Sequence, residues 1–163
     1  MSLNVRANAT VAITGAQPRS GNGSLEFTTN TIVSGQDKAD YVKYWGVVSG
    51  RTLGNLSALS YEFYRASSST NANYFAPAFR LAYATTGGQT GYLVWEPIYN
   101  GYSTVTEDTW NTANIFAGNF WMRAFGPGRT IEVFDVTLAE WISGLNNGGP
   151  IGGNNPHTLS SNT

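Results

Sequence analysis

Only ten residues of this 163-residue chain carry carboxylate side chains. Two of them, Glu62 in SYEFYR and Glu96 in VWEPI, lie inside aromatic stretches that read as strands. A charge within a strand is costly unless it is paired or solvated. Arg80 alternates with apolar residues in PAFRLAY and could pair with either carboxylate through its two-pronged guanidinium.

If these three strands are neighbours in one sheet, Glu62, Arg80 and Glu96 share a face. Aromatic residues stand beside them, and such a face suits sugars, whose apolar ring faces stack on aromatic rings while their hydroxyls bond to charged groups. The predicted ligand-binding residues are Glu62, Tyr64, Arg80, Trp95, Glu96, Tyr99 and Trp110.

Two other interpretations of the carboxylates remain open. The first is a structural Glu–Arg–Glu ion cluster on a sheet. The second is the catalytic pair of a glycan-active hydrolase, which requires Glu62 and Glu96 to face each other across a cleft at about 5 to 10 Å.

Trp95 and Glu96 are adjacent in sequence, so on a strand they point to opposite faces. Most of the five tryptophans should be core residues, and Trp95 and Trp110 are the two expected to be exposed platforms. If Trp95 is buried instead, Glu96 lies on the opposite, outer face of the strand and is the residue of this pair that could contact a ligand there.

Metal and cofactor chemistry has little support in the sequence. The segment DKAD offers Asp37 and Asp40 as weak candidate calcium ligands, and EDT at 107–109 is similar. No other cofactor is expected. The chain has no cysteine, and its single histidine, His157, lies in a low-complexity segment, so neither a thiol site nor a histidine-based triad or metal cage is predicted.

The amino-acid composition limits the classes of partner that we expect for this protein. The net charge is −1, only 12% of residues are charged, and the seven arginines are scattered, so nucleic-acid binding is not expected. No run of 18 apolar residues could span a membrane. A surface rich in Ser, Thr, Asn and Gly favours an extracellular or cell-surface location, although the chain shows no signal peptide.

Short alternating or aromatic runs bounded by Gly, Asn and Ser predict an all-β fold, namely an antiparallel, jelly-roll-like β-sandwich. One short helix is expected at 137–144, capped by Asp135 or Thr137. Residues 1–145 are predicted to form a single domain, followed by a Gly/Asn-rich loop or tail at 146–163. The strands are predicted near 10–14, 24–29, 41–48, 58–65, 76–84, 91–98, 110–115, 120–125 and 130–133.

Several segments, taken in order, resemble a group of bacterial exported proteins that carry a PEP-CTERM type sorting and anchoring segment. They are GNGSLEF, DKADYVKYWG, LGNLSALSYEFYRASSSTNANYFAPAFRLAY, GYLVWEPIYNGY, DTWNTANIFAGNFWM and TLAEWISG. The resemblance covers about 21–144. It implies a lectin-like jelly roll displayed outside the cell, and it implies no particular activity.

This chain departs from that group in having no anchor and in ending at HTLSSNT, where relatives continue into further strand sequence. A missing closing strand would leave an open sheet edge able to accept a strand from another copy. Three functions follow as expectations: a non-catalytic glycan-binding module, a structural protein that self-assembles into a homo-oligomer through that edge, and a hydrolase using Glu62 and Glu96.

Overall fold

The computed structural model describes residues 2–29, 37–43, 52–84, 90–125 and 131–143. In these ranges the protein is built mainly from antiparallel β-strands with one short helix, which confirms the predicted all-β class. The jelly-roll topology and the single-domain organisation stay predictions.

Ten strands and one α-helix follow one another in the described residues. The strands are β1 (Ser2–Arg6), β2 (Thr10–Thr14), β3 (Ser24–Thr28), β4 (Lys38–Val42), β5 (Ser60–Tyr64), β6 (Phe79–Ala84), β7 (Thr90–Trp95), β8 (Trp110–Asn114), β9 (Asn119–Phe125) and β10 (Ile131–Thr137). The helix is α1 (Leu138–Ser143), and short 3-10 helices lie at Leu53–Asn55 and Pro97–Asn100.

The chain divides into two compact units. The first contains Met1–Gly46 and Ala66–Asn71, and the second contains Val47–Arg65 and Ala72–Thr163. Each unit is described below by itself.

The first unit is built from two antiparallel pairs, β1 with β4 and β2 with β3. Its described core is small, with Ala9 as the buried apolar residue, whereas Ile13 is 79% exposed. Polar contacts link the strands instead, because the Thr10 and Thr28 hydroxyls hydrogen-bond to each other and Thr14 donates to Glu26. Polar cross-strand pairs of this kind stabilise a two-stranded sheet with little apolar burial.

The second unit is a two-layered sandwich. Its larger sheet has the strand order β10-β9-β7-β6, and its smaller sheet pairs β5 with β8. The two sheets pack through one core, in which Phe63 from β5 and Leu93 from β7 are almost fully buried. The tilted contact between Tyr61 and Phe79, with ring centroids 5.9 Å apart, joins the layers.

The two-residue period of the strands decides which side chains enter this core. Along β7 it places Leu93 and Trp95 inward, with 0% and 1% of their surface exposed. Along β9 it places Phe120 and Met122 inward, and both are fully buried. The alternate residues of these strands therefore form the outer face of the larger sheet.

Helix α1 covers part of the core and begins with a capping box. The Thr137 hydroxyl accepts a hydrogen bond from the Glu140 amide, and the Glu140 carboxylate accepts from the Thr137 amide at 2.8 Å. The hydrogen bonds from Thr137 to the carboxylate lower the pKa of Glu140. Of the two predicted capping residues, Thr137 is therefore the one that caps the helix. Leu138 and Trp141 are buried as the apolar periodicity predicts.

The structure also differs from the predicted strands. Strand β1 was not predicted, although Leu3 and Val5 alternate with polar residues in Ser2–Arg6, because the segment is short and its partner strand lies more than thirty residues away. The strand expected at 41–48 begins three residues earlier, since β4 pairs Lys38–Val42 with β1, and 44–48 lies outside the described residues. Gly144 and the predicted tail at 146–163 lie outside the described residues.

No helix among the described residues is long and apolar enough to cross a membrane. In the larger sheet, β6 and β10 are the edge strands and have no further partner within the described part of the chain. Completion of an edge by a second copy of the chain stays a prediction.

Candidate functional site

The outer face of the larger sheet carries an unusual density of aromatic and arginine side chains. Directly paired residues of antiparallel strands point to the same side of a sheet, so the register fixes which residues meet here. We call this surface the aromatic face, and its members are Arg80, Tyr92, Glu96, Tyr99, Trp121, Arg123, Phe125 and Phe134.

Cross-strand pairing lays out the centre of the aromatic face. Two rows run across β6, β7 and β9: Arg80, Val94 and Trp121 in one, and Ala82, Tyr92 and Arg123 in the next. Ala82 places only a methyl group beside Tyr92, and Arg80, two residues away on the same strand, reaches over the Tyr92 ring. Val94 at the centre of the first row is buried, and Tyr92 at the centre of the second row is half-buried.

The rings of the aromatic face are in contact with one another. Tyr92 meets Phe125 edge to face with centroids 5.0 Å apart, and Tyr99 stacks on Phe134 at 3.9 Å. Trp121 approaches Phe134 at 6.3 Å. Mutual contacts of this kind hold exposed rings in fixed orientations, and Tyr99 and Phe125 are each 40% exposed.

Two arginines lie over rings on this face. The Arg80 guanidinium carbon is 5.3 Å from the Tyr92 ring centroid, and that of Arg123 is 6.0 Å from the Phe125 centroid. These are cation–π distances. The rings therefore position the two guanidinium groups on either side of Tyr92.

Glu96 lies at the other end of the aromatic face. Its Oε2 accepts a 3.0 Å hydrogen bond from the Trp121 indole N–H, so a tryptophan rather than an arginine satisfies this carboxylate oxygen. Glu96 also precedes the 3-10 helix Pro97–Asn100, which ends at Gly101 with a φ of 85°. The Asn100 side-chain amide donates to the Glu96 carbonyl oxygen at 2.9 Å and fixes the turn that presents Tyr99.

Trp95 was predicted to be an exposed platform, and the structure corrects this. Only 1% of Trp95 is exposed, and its ring packs edge to face on Tyr61 and Tyr102. The two-residue period turns Trp95 inward and leaves Glu96 as the member of the pair that reaches the outer face. A Cβ on Gly118 would lie 2.2 Å from the Trp95 Nε1 atom, so the ring occupies the space that this glycine leaves.

The remaining predicted residues lie on the other sheet. Glu62 pairs with Thr112 and Tyr64 with Trp110 on the outward side of β5 and β8. The Thr112 hydroxyl donates to Glu62 at 3.3 Å. The Tyr64 and Trp110 rings are 5.8 Å apart, and partial desolvation with the nearby Asp108 carboxylate raises the pKa of Tyr64.

The structure therefore divides the predicted constellation between two surfaces. It brings Arg80, Glu96 and Tyr99 together on the aromatic face, while Glu62 points away from the core on the opposite layer. The buried core separates Glu62 from Glu96, so they do not flank one cleft as a glycosidase pair must. The three-residue Glu–Arg–Glu cluster is not formed either.

The arrangement includes one ion pair that the sequence did not indicate. Arg65 is buried, with 6% of its surface exposed. Its Nε–H donates a 3.1 Å hydrogen bond to the Glu107 carboxylate. The pair joins the end of β5 to the loop before β8. Glu107 of the EDT segment thus neutralises a buried arginine, which a buried charge requires.

The candidate calcium ligands have protein partners. Asp40 is buried and lies 2.7 Å from the Lys38 ammonium, and the Asp37 carboxylate accepts from the Asn8 amide at 3.2 Å. The described residues contain no group of three or more His, Cys, Asp or Glu side chains that could hold a metal ion. Calcium binding at Asp37 and Asp40 stays a prediction.

A shallow, open depression of about 620 Å³ lies next to the aromatic face and shares Tyr99 with it. Asn114, Asn119 and Tyr102 are among its lining residues. Asn100 also lines the depression. Its side-chain carbonyl oxygen accepts a 2.7 Å hydrogen bond from the Asn119 backbone amide. The depression extends the polar end of the aromatic face.

Sequence reasoning missed five members of the aromatic face: Tyr92, Trp121, Arg123, Phe125 and Phe134. One signal was available, because in NFWMRAF the residues Phe120 and Met122 alternate with Trp121 and Arg123. That alternation indicates an outward tryptophan and an outward arginine. It could not indicate which strands lie beside β9.

No family model, curated protein or solved structure matches this chain. Its function must therefore be inferred from its own residues.

Proposed function

We propose that this protein is a non-catalytic, extracellular or cell-surface module that binds glycans on the aromatic face. One observation carries the proposal, namely that the outer side of the larger sheet presents fixed aromatic rings where a solvated sheet would present short polar side chains. A contiguous apolar patch on a protein surface usually marks an interaction site.

The chemistry of the patch favours a sugar over a purely apolar ligand. Exposed rings such as Tyr99 can stack on the apolar faces of pyranoses. Glu96 uses Oε2 to accept from Trp121, and a carboxylate can accept several hydrogen bonds, so its other oxygen can accept from a sugar hydroxyl. The face therefore offers aromatic rings for the apolar faces of a sugar and hydrogen-bonding groups for its hydroxyls.

A binding module also fits the placement of the carboxylates. Glu96 has no second carboxylate opposite it among the described residues of the aromatic face, and hydrolysis of a glycosidic bond ordinarily needs two. The weakly charged, Ser- and Asn-rich composition supports an exported location.

The first test is to replace Tyr92 with alanine and to measure binding to a panel of soluble polysaccharides by affinity electrophoresis. Loss of the central ring, which contacts Phe125 and holds the Arg80 guanidinium, is expected to weaken binding by about tenfold or more. The matched control is Tyr64→Ala, which removes a tyrosine from the outer side of the smaller sheet. This control is expected to bind as the unaltered protein does.

Two results would contradict the proposal. One is a panel in which no polysaccharide retards the unaltered protein. The other is the reverse pattern, in which Tyr64→Ala loses binding and Tyr92→Ala keeps it, because the ligand would then lie on the smaller sheet.

A further inference from the structure

We infer that the glycan is acidic, and that Arg80 and Arg123 bind a ring carboxylate of a polyuronate over Tyr92. This inference rests on the proposed function and specifies its ligand class. Its basis is the placement of two arginines around one tyrosine on a chain in which only 12% of residues are charged.

The register brings the three residues together. Arg123 is the direct cross-strand neighbour of Tyr92, and Arg80 lies one row away with its guanidinium over the Tyr92 ring at 5.3 Å. A ligand carboxylate above Tyr92 would therefore have a guanidinium group on each side, one from β6 and one from β9. A guanidinium group offers five N–H donors in a planar fork that matches a carboxylate.

The available charge supports an anionic ligand. Arg123 is exposed, and no described carboxylate lies within ion-pair distance of it. The carboxylate that shares the face, Glu96, is bonded to the Trp121 indole. The charge of Arg123 is thus turned toward solvent, where an anionic substituent can reach it.

The two ends of the aromatic face differ in charge along β7. Tyr92 and its arginines lie at one end and Glu96 at the other, about 13 Å away for four residues of strand. That span accommodates a short oligosaccharide. It places a carboxylate of the ligand at the arginine end, and the uronate ring at the Glu96 end would turn its hydroxyls toward Glu96 and its own carboxylate toward solvent.

The test compares polygalacturonate with the same polymer after reduction of its carboxyl groups, which keeps the sugar backbone and replaces each carboxylate by a hydroxymethyl group. The unaltered protein is expected to bind polygalacturonate at least tenfold more tightly than the reduced polymer. Arg123→Gln is expected to lose about tenfold in affinity for polygalacturonate and little for the reduced polymer.

The matched control is Arg19→Gln, which changes the net charge equally from an exposed loop of the first unit. It is expected to change affinity by less than twofold. Equal losses in Arg19→Gln and Arg123→Gln would overturn the inference, because a general charge effect would then explain the binding.

The comparison separates failure of the inference from failure of the proposed function. If the unaltered protein binds both polymers equally, or binds only neutral or only sulfated polysaccharides, the uronate assignment is wrong and glycan binding stands. If no polysaccharide of any class binds, both the assignment and the proposed function are wrong.

Discussion

Replacement of Trp95 by alanine is expected to lower the free energy of unfolding by about 3 to 5 kcal/mol, the usual cost of truncating a buried tryptophan. The ring is 1% exposed and contacts Tyr61 of the smaller sheet and Tyr102 of the connecting loop. Its removal leaves a cavity where the two layers meet. Since small domains are stable by about 5 to 15 kcal/mol, the loss is a large part of the total.

Urea unfolding followed by circular dichroism measures this change. Trp110→Ala is the matched control, because Trp110 lies on the outward side of β8 and meets Tyr64 with centroids 5.8 Å apart. It is expected to cost about 1 kcal/mol. Equal losses in the two variants would show that Trp95 is not the interior residue that the fold requires.

Replacement of Gly91 by alanine is expected to destabilise the protein by about 3 kcal/mol, at the upper end of overpacking effects. A Cβ at this position would lie 2.2 Å from the Arg123 carbonyl oxygen and 2.6 Å from the Tyr83 hydroxyl. A side chain can turn away, but the carbonyl oxygen belongs to the neighbouring strand β9. The ladder between β7 and β9 must therefore shift.

Gly54→Ala is the matched control for this substitution. A Cβ on Gly54 would meet its nearest neighbour, an Ile142 methyl group, at 3.7 Å, which is ordinary van der Waals contact. Thermal unfolding should place Gly54→Ala within a few degrees of the unaltered protein and Gly91→Ala well below both. A stable Gly91→Ala variant would contradict the strand pairing in the larger sheet.

Much of the fold was predictable because local patterns determine it. Alternation in SYEFY and FRLAYA predicted strands that the structure contains as β5 and β6, and Thr137 was one of two predicted helix caps. Strand β1 was missed, because Ser2–Arg6 forms its ladder with Lys38–Val42, more than thirty residues along the chain. The alternation of Leu3 and Val5 with polar residues was a signal for a strand, but five residues are a weak signal and do not indicate the partner strand.

The candidate site was predictable only in part, for a related reason. Alternation within a strand correctly gave Arg80 and Glu96 outward positions, and the Trp95–Glu96 pair split between faces as expected. It could not reveal that β5 pairs with β8 rather than with β6 or β7. Glu62, Tyr64 and Trp110 were therefore grouped with residues from which the core separates them.

The same limit applies to Trp121. Its outward direction follows from the apolar residues on either side of it, but its hydrogen bond to Glu96 depends on the packing of β9 beside β7. Strand order is a property of the whole sheet, and the sequence of a single strand does not determine it.

The indole N–H resonances of the five tryptophans provide the most direct test of glycan binding on the aromatic face. In a ¹⁵N-labelled sample titrated with galacturonate oligosaccharides, and in parallel with neutral oligosaccharides of the same length, the Trp121 resonance should shift on binding. The Trp110 resonance, on the smaller sheet, should stay in place. Assignment by single Trp→Phe variants identifies each signal. A titration in which Trp110 shifts and Trp121 does not, or in which Trp121 stays in place with an oligosaccharide that the protein binds, would contradict glycan binding on the aromatic face.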